Sequence, residues 1–232
     1  MRTLYIRCMR SLATLLRRIG LLQRLQHSKY WPVRHFRSLF AIYDLQQLAS
    51  IGLPWWTYRA TQRVGRFLSD RPDARVLEYG AGASTLWLAS RCGELHSVEH
   101  DAVFADEVRS LVEHYEHVEL HVVVPPPASD DSAIRSARRG HEHLDFSSYV
   151  SVAAEIGGSF DLIVIDGRAR LACLEAAKSH LAPQGMVLFD DARRPQYLAG
   201  LKRSGLQVRM LRGAKPTIPL PDATALLTVR PR

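Results

Sequence analysis

The chain has 232 residues, 47% hydrophobic and 23% charged, enough for one α/β domain with a sizeable core and an N-terminal extension. No apolar run is long enough to cross a membrane as a helix. Cys8, Cys92 and Cys173 are widely spaced and include no CxxC, which points to a reducing, cytoplasmic compartment and away from a disulfide framework or a zinc site. The net charge of +8 is uneven: nine Lys and Arg precede the first acid, Asp44, and the remainder is close to neutral. A basic arm on a neutral domain argues against nucleic acid as a partner.

Residues 1–27 read as a basic amphipathic helix. Leu12, Leu15, Leu16, Ile19 and Leu22 follow helical spacing, with Arg10, Arg17, Arg18 and Arg24 largely on other faces. Packing on the domain or on a second subunit fits this pattern, as does peripheral contact with an anionic membrane surface. A transit peptide is the less favoured third reading. Residues 30–60 are dense in aromatics: Tyr30, Trp31, Phe36, Phe40, Tyr43, Trp55, Trp56 and Tyr58. They suggest a cover over the domain. Pro54-Trp55-Trp56 is expected to open a helix, with one tryptophan in the core and the other a candidate pocket wall. The expected division is therefore a helical extension over 1–60 and a Rossmann-like domain over 61–232.

The first strand is expected at 75–79 and ends in Glu78-Tyr79-Gly80-Ala81-Gly82-Ala83-Ser84-Thr85. Gly80 and Gly82 permit a tight turn and close backbone approach to a ligand. Ser84 and Thr85 are expected to cap the following helix. A dinucleotide pattern would need glycine where Thr85 stands, and Glu78 would repel a pyrophosphate. A carboxylate at this strand end suits a cationic ligand instead, and S-adenosylmethionine (SAM) carries an ammonium and a sulfonium. Glu78 is expected to help hold its methionine moiety. The second strand, at 95–99, ends in Glu99, at the offset where such folds grip ribose hydroxyls. Asp101 is expected to cap the next helix, and His100 is a candidate general base beside the pocket.

Further strands are expected near 118–124, 161–166 and 185–190, with helices over 84–92, 102–115, 146–156, 168–181 and 193–203. That alternation implies a doubly wound, mostly parallel sheet. The runs 206–211 and 224–229, separated by a linker with Pro216, Pro219 and Pro221, are expected to form an antiparallel edge, giving seven strands. The loop 125–145 is irregular, and its His141-Glu142-His143 reads as solvated. Asp166 and Asp190-Asp191 fall at the ends of strands four and five, on the pocket edge, and need a positive partner. One is Mg²⁺ or Mn²⁺ held by Asp166, Asp190 and Asp191. The other is the set Arg168, Arg170, Arg193 and Arg194, which could instead bind an anionic acceptor.

Together these residues resemble the class I SAM-dependent methyltransferases, over roughly Arg75 to Val229. A narrower likeness is to a mostly bacterial methyltransferase-like group, through Leu53-Pro54-Trp55-Trp56, the glycine turn, Ser97-Val98-Glu99-His100 and Ile165-Asp166-Gly167-Arg168-Ala169-Arg170. The acidic pattern is also similar to metal-dependent catechol-type O-methyltransferases, but Asp191 stands where asparagine would follow, and no lysine base follows Asp166. The resemblance implies SAM-dependent methyl transfer; the expected acceptor is a hydroxyl of a small molecule or glycan, with Asp166 on the acceptor side. Two other readings remain: a non-catalytic protein of this fold that binds a membrane, nucleic acid or protein through its arm, and an NAD-linked oxidoreductase.

Overall fold

Central strands with apolar side chains on both faces must be covered on both sides. The computed structural model shows this for β1 (Arg75–Tyr79) and β4 (Phe160–Ile165), whose Val76, Leu77, Leu162, Ile163, Val164 and Ile165 are all fully buried. Residues 11–26, 28, 30–41, 44–129 and 133–229 are described. Residues 1–10 and 27 of the arm, Tyr43 and residues 130–132 of the irregular loop lie outside them.

The other strands are β2 (Glu94–Glu99), β3 (Val118–Val122), β5 (Leu181–Phe189), β6 (Gln207–Lys215) and β7 (Ile218–Thr228). They form one seven-stranded sheet in the order β3-β2-β1-β4-β5-β7-β6. The first five are parallel, and β7 runs antiparallel to both β5 and β6. The expected sheet is present, with both C-terminal strands in it and the last one inserted before the edge. The expected proline linker is not a linker. A hairpin turns at Pro216-Thr217, with Thr217 at φ 68°, and Pro219 and Pro221 lie within β7. They fall where the β6–β7 register shifts and where β7 has no pairing with β5, so no ladder donor is lost.

The helical residues 11–18 form the described part of α1. They are followed by α2 (Leu21–Gln26), α3 (Trp31–Ser38), α4 (Leu45–Ser50), α5 (Tyr58–Ser69), α6 (Ala83–Ala89), α7 (Ala102–Val112), α8 (Ser147–Ile156), α9 (Arg170–Ala177) and α10 (Pro195–Arg203). Alternation along β1 sends Leu77 and Tyr79 to the face covered by α8, α9 and α10, and sends Val76 to the face covered by α5 and α6. Each face has its own core cluster, which makes three layers.

The arm is broken rather than one helix. Gly20, at φ 71°, separates α1 from α2; Leu22 is buried, while Leu12, Leu15 and Ile19 stay exposed. No described helix is long and apolar enough to cross a membrane. Pro54-Trp55-Trp56 does not open a helix. The Thr57 hydroxyl accepts the Ala60 N–H and caps α5, and the Thr57 N–H is held by Thr224 Oγ1 at 3.1 Å, so the helix begins only at Tyr58 and the two tryptophans lie in a bend before it. Trp56 is fully buried, in edge contact with Trp87.

Candidate active site

A cleft of about 640 Å³ opens where β1 and β4 lie side by side and the chain departs in opposite directions. Gly80 follows β1, Glu99 ends β2, Asp166 follows β4, and Asp190 and Asp191 follow β5; all five line this cleft. Trp55, His100 and Phe104 line it as well.

The glycine turn has a tight geometric reason. Gly80 sits at φ 98°, and a Cβ there would meet the Gly167 backbone at 2.5 Å. The two strand-end loops touch backbone to backbone, which only glycine allows. Gly82 precedes α6 directly, and a side chain there would meet only Phe104, at 4.0 Å. The helix starts at Ala83, so neither Ser84 nor Thr85 is its N-cap residue; Thr85 Oγ1 still caps it by accepting the Gly82 N–H at 2.9 Å, while both hydroxyls donate to Glu78.

Glu78 is fully buried beneath the turn. Ser84 Oγ donates to one carboxylate oxygen, and Thr85 Oγ1 and Ser97 Oγ donate to the other, at 2.6 and 2.7 Å. Ser97 is its register partner on β2, so the network ties two strands to the turn. Burial pushes the Glu78 carboxyl up to about 7 despite those donors. Its expected direct contact with a ligand is not what the geometry offers, because both oxygens are occupied and Glu78 does not line the cleft. It holds the turn in shape instead.

Glu99 is placed differently. Its Oε1 accepts the backbone N–H of His100 at 2.8 Å and of Asp101 at 2.9 Å, and His100 Nδ1 lies against the same oxygen. Its Oε2 has no partner among the described residues and is the oxygen left for the cleft. Asp101 caps α7, as expected. The His100 ring packs among Phe146, Tyr149 and His141, whose ring centroid is 5.2 Å away. His141 thus belongs to the cleft and not to a solvated loop, while His143 is exposed.

At the ends of β4 and β5, Asp166, Asp190 and Asp191 bring carboxylate oxygens within 4.8 Å of one another. Their positive partners come from the protein. Arg170, buried at the start of α9, reaches Asp166 Oδ1 at 2.8 Å and Asp191 Oδ2 at 3.3 Å, and donates to the carbonyls of Asp166, Gly167 and Asp190. Lys215 Nζ, at the end of β6, bonds Asp190 Oδ2 and Asp191 Oδ1. Arg194 holds Asp191 Oδ2, and Thr224 Oγ1 donates to Asp190 Oδ1 at 2.7 Å.

This arrangement tests the proposed Mg²⁺ or Mn²⁺ site of Asp166, Asp190 and Asp191. Oxygen-rich ligation needs free carboxylate oxygens. Among the six oxygens, only Asp166 Oδ2 has no protein partner among the described residues. Lys215, Arg170 and Arg194 already take the oxygens a divalent cation would need, so the residues present do not fit a metal.

Burial and the Asp190 charge raise the Asp166 carboxyl well above the ordinary aspartate range, and burial likewise raises Asp190. Burial alone would raise Asp191 too, but Lys215 and Arg170 outweigh it and hold that carboxyl low. Sequence reading foresaw arginines here. It missed Lys215 and Thr224, which reach the acids through the C-terminal hairpin.

A turn shaped by an acid, a free carboxylate oxygen at the second strand end and a cleft at the sheet's switch point define a class I SAM-dependent methyltransferase. A family model described as a methyltransferase domain matches residues 77–192, half of the chain, and the chain belongs to that family. Among solved structures, it is similar to an O-methyltransferase from Bacillus cereus in complex with SAH, at 20% identity and a TM-score of 0.54, over 83% of this chain and 90% of that one. A precorrin 8W decarboxylase from Methanobacterium thermoautotrophicum aligns at 14% identity and TM-score 0.50, over 75% and 91%. A putative methyltransferase from Streptococcus mutans in complex with SAH aligns at 8% and 0.50, over 73% and 97%. At these identities the likeness is one of fold. No curated protein matches the chain in sequence.

Proposed function

We propose that the cleft transfers the methyl group of SAM to a hydroxyl oxygen of a small-molecule or glycan acceptor. The observation that carries this reading is the pair of uncommitted oxygens, Glu99 Oε2 and Asp166 Oδ2, on residues lining one cleft. When bound, SAM supplies an electrophilic methyl group on a sulfonium sulfur. Glu99 accepts the ribose hydroxyls, and its other oxygen, pinned by two backbone N–H groups, fixes the carboxylate's direction. Gly80 and Gly82 shape the turn that receives the methionine end, with Glu78 holding that turn through Ser84, Thr85 and Ser97. Trp55 and Phe104 form apolar walls.

Asp166 is the acceptor-side base. Arg170 fixes its Oδ1, and Oδ2 takes the hydroxyl proton. A base whose proton affinity is raised toward neutral suits that task better than an ordinary aspartate. His100, the other candidate, has its Nδ1 engaged with Glu99 and serves to position it.

The test is calorimetric and chemical. Glu99→Ala should weaken binding of S-adenosylhomocysteine (SAH) by about 1.5–3 kcal/mol, roughly 10- to 150-fold, through loss of hydrogen bonds to a charged acceptor. Unchanged affinity would remove Glu99 from the cofactor site. Radiolabelled SAM offered with a panel of hydroxylated small molecules and oligosaccharides should give an O-methyl ether, and Asp166→Asn should abolish it. A product labelled on nitrogen or carbon would overturn the hydroxyl assignment.

A further inference from the structure

Beside the cleft lies a second pocket of about 340 Å³, between the loop after β3 and the N-terminal half of α9. Its wall carries Arg135, Arg138, Arg139, Arg168, Arg170 and Arg194, and no acidic residue. Two of these, Arg170 and Arg194, are already turned toward Asp166 and Asp191. Arg138, Arg139 and Arg168 form no ion pair among the described residues. Arg168 is half-buried, and its buried Nε has no hydrogen-bond partner. Burial and the neighbouring Arg138 charge both push against its protonation. Guanidinium groups stay charged even so, and like charges gathered around one cavity are stabilised by an anion there.

The pocket and the cleft share a border. Arg138, Gly167, Arg168, Arg170 and Arg194 line both, and Asp166 lines the cleft on the far side of that border. We propose that this second pocket is the acceptor's anchoring subsite and that it takes an anionic group, a phosphate or a carboxylate cluster carrying two or more charges. The inference rests on the methyltransferase reading and adds the class of acceptor to it.

The volume sets the scale. It lies at the low end of small-molecule sites, so the pocket holds one anionic group and not an extended chain. Forked guanidinium groups recognise phosphate and carboxylate by paired hydrogen bonds. An acceptor anchored this way extends across the shared border and brings its hydroxyl to the Asp166 side. Ala169, Leu171 and Tyr197 supply apolar wall, which an uncharged carbon skeleton would contact.

The test uses the full chain and two titrations on one sample. SAH is titrated first, then inorganic pyrophosphate and, separately, citrate are titrated into the SAH-bound protein at low and at physiological salt. Expected is saturable binding of at least one anion that weakens with salt. Arg168→Gln, and separately the double substitution of exposed Arg138→Gln and Arg139→Gln, should each raise its dissociation constant by about tenfold or more, with circular dichroism unchanged.

No saturable binding of either anion to the SAH-bound protein overturns the proposal. So does binding that both variants leave unaltered, since the anion would then sit elsewhere, the basic arm being the obvious place. Failure of SAH to bind would strike the methyltransferase reading itself, and the anion titration on the same sample would still decide the pocket.

Discussion

A carboxyl group buried among three hydroxyls makes a pH-dependent contribution that can be isolated. Glu78 titrates at about 7 in the folded chain against an ordinary value of 4.5. The folded state therefore holds the proton more tightly than the unfolded state. Between those two values the folded chain binds more protons, and stability falls as pH rises. The loss amounts to about 3 kcal/mol by pH 7 and levels off about one pH unit above it. Glu78→Gln cannot ionise, and its amide can still meet the hydroxyls of Ser84, Thr85 and Ser97. Urea unfolding of wild type and variant from pH 4 to 8 should show this slope in the wild type and a flatter one in the variant. Equal slopes would mean that Glu78 is already compensated in the fold. Lys215 gives a second case. Its ammonium lies against Asp190 and Asp191, both buried. Lys215→Met leaves those charges under-compensated and should cost about 3–5 kcal/mol. Adding Asp190→Asn should restore part of it. A double variant no more stable than Lys215→Met alone would show that Asp190 is not the group Lys215 stabilises.

Turns and strand ends carry the site, and the elements differ in how far their sequences reveal them. β4 and β5 were legible because burial on both faces leaves the apolar runs Leu162–Ile165 and Met186–Phe189, and β1 and β2 because a short apolar stretch ends at an acid followed by turn residues. Glu78, Gly80, Gly82 and Glu99 were legible because their spacing follows from one strand–turn–helix unit and the next strand. Lys215 was not legible. It is brought to Asp190 and Asp191 only by the β6–β7 hairpin, and no local pattern marks a lysine that will sit 24 or 25 residues away from its partners. His141 was misread for a similar reason: loop polarity suggests solvent, while the fold presses its ring toward His100. Ser84 and Thr85 look like caps by residue type; Thr85 is one, through the Gly82 N–H, and only the position of the buried Glu78 turns both hydroxyls inward. The glycine turn makes the sharpest prediction at this scale. Gly80→Ala demands a positive φ from alanine and drives its Cβ into the Gly167 backbone, two costs that add. It should destabilise the fold by about 2 kcal/mol or more and lower SAH affinity with it. A variant with wild-type thermal stability and wild-type SAH affinity would disprove the backbone contact between the two loops.

The N-terminal segment is where the whole molecule differs most from a bare three-layer sheet. Leu45, Leu48, Ile51 and Leu53 form one apolar cluster with Ala81 and Ala83 of the glycine turn and Val108 of α7. Ser38 Oγ accepts the Thr217 N–H at 3.2 Å, which ties α3 to the hairpin that carries Lys215. The middle of the extension therefore braces both sides of the cleft. The first part does not: Ala13, Leu22 and Phe40 form a small separate cluster with Leu16 packed against it. Two truncations divide these roles. Removing residues 1–27 strips, among the described residues, the outer cluster and the exposed Arg17–Asp44 ion pair, and SAH affinity should stay within about threefold of the full chain, a change near 0.6 kcal/mol. Removing residues 1–52 deletes Leu45, Leu48 and Ile51, each burying area worth about 1.5–3 kcal/mol, and exposes the turn they cover. SAH affinity should then fall by about tenfold or more as the turn loses its support, even at temperatures where circular dichroism still reports a folded sheet. A folded 53–232 chain with native SAH affinity would show that the turn is held by the sheet and Glu78 alone. Loss of SAH binding in a folded 28–232 chain would place the basic arm in the pocket and overturn its separation from the site.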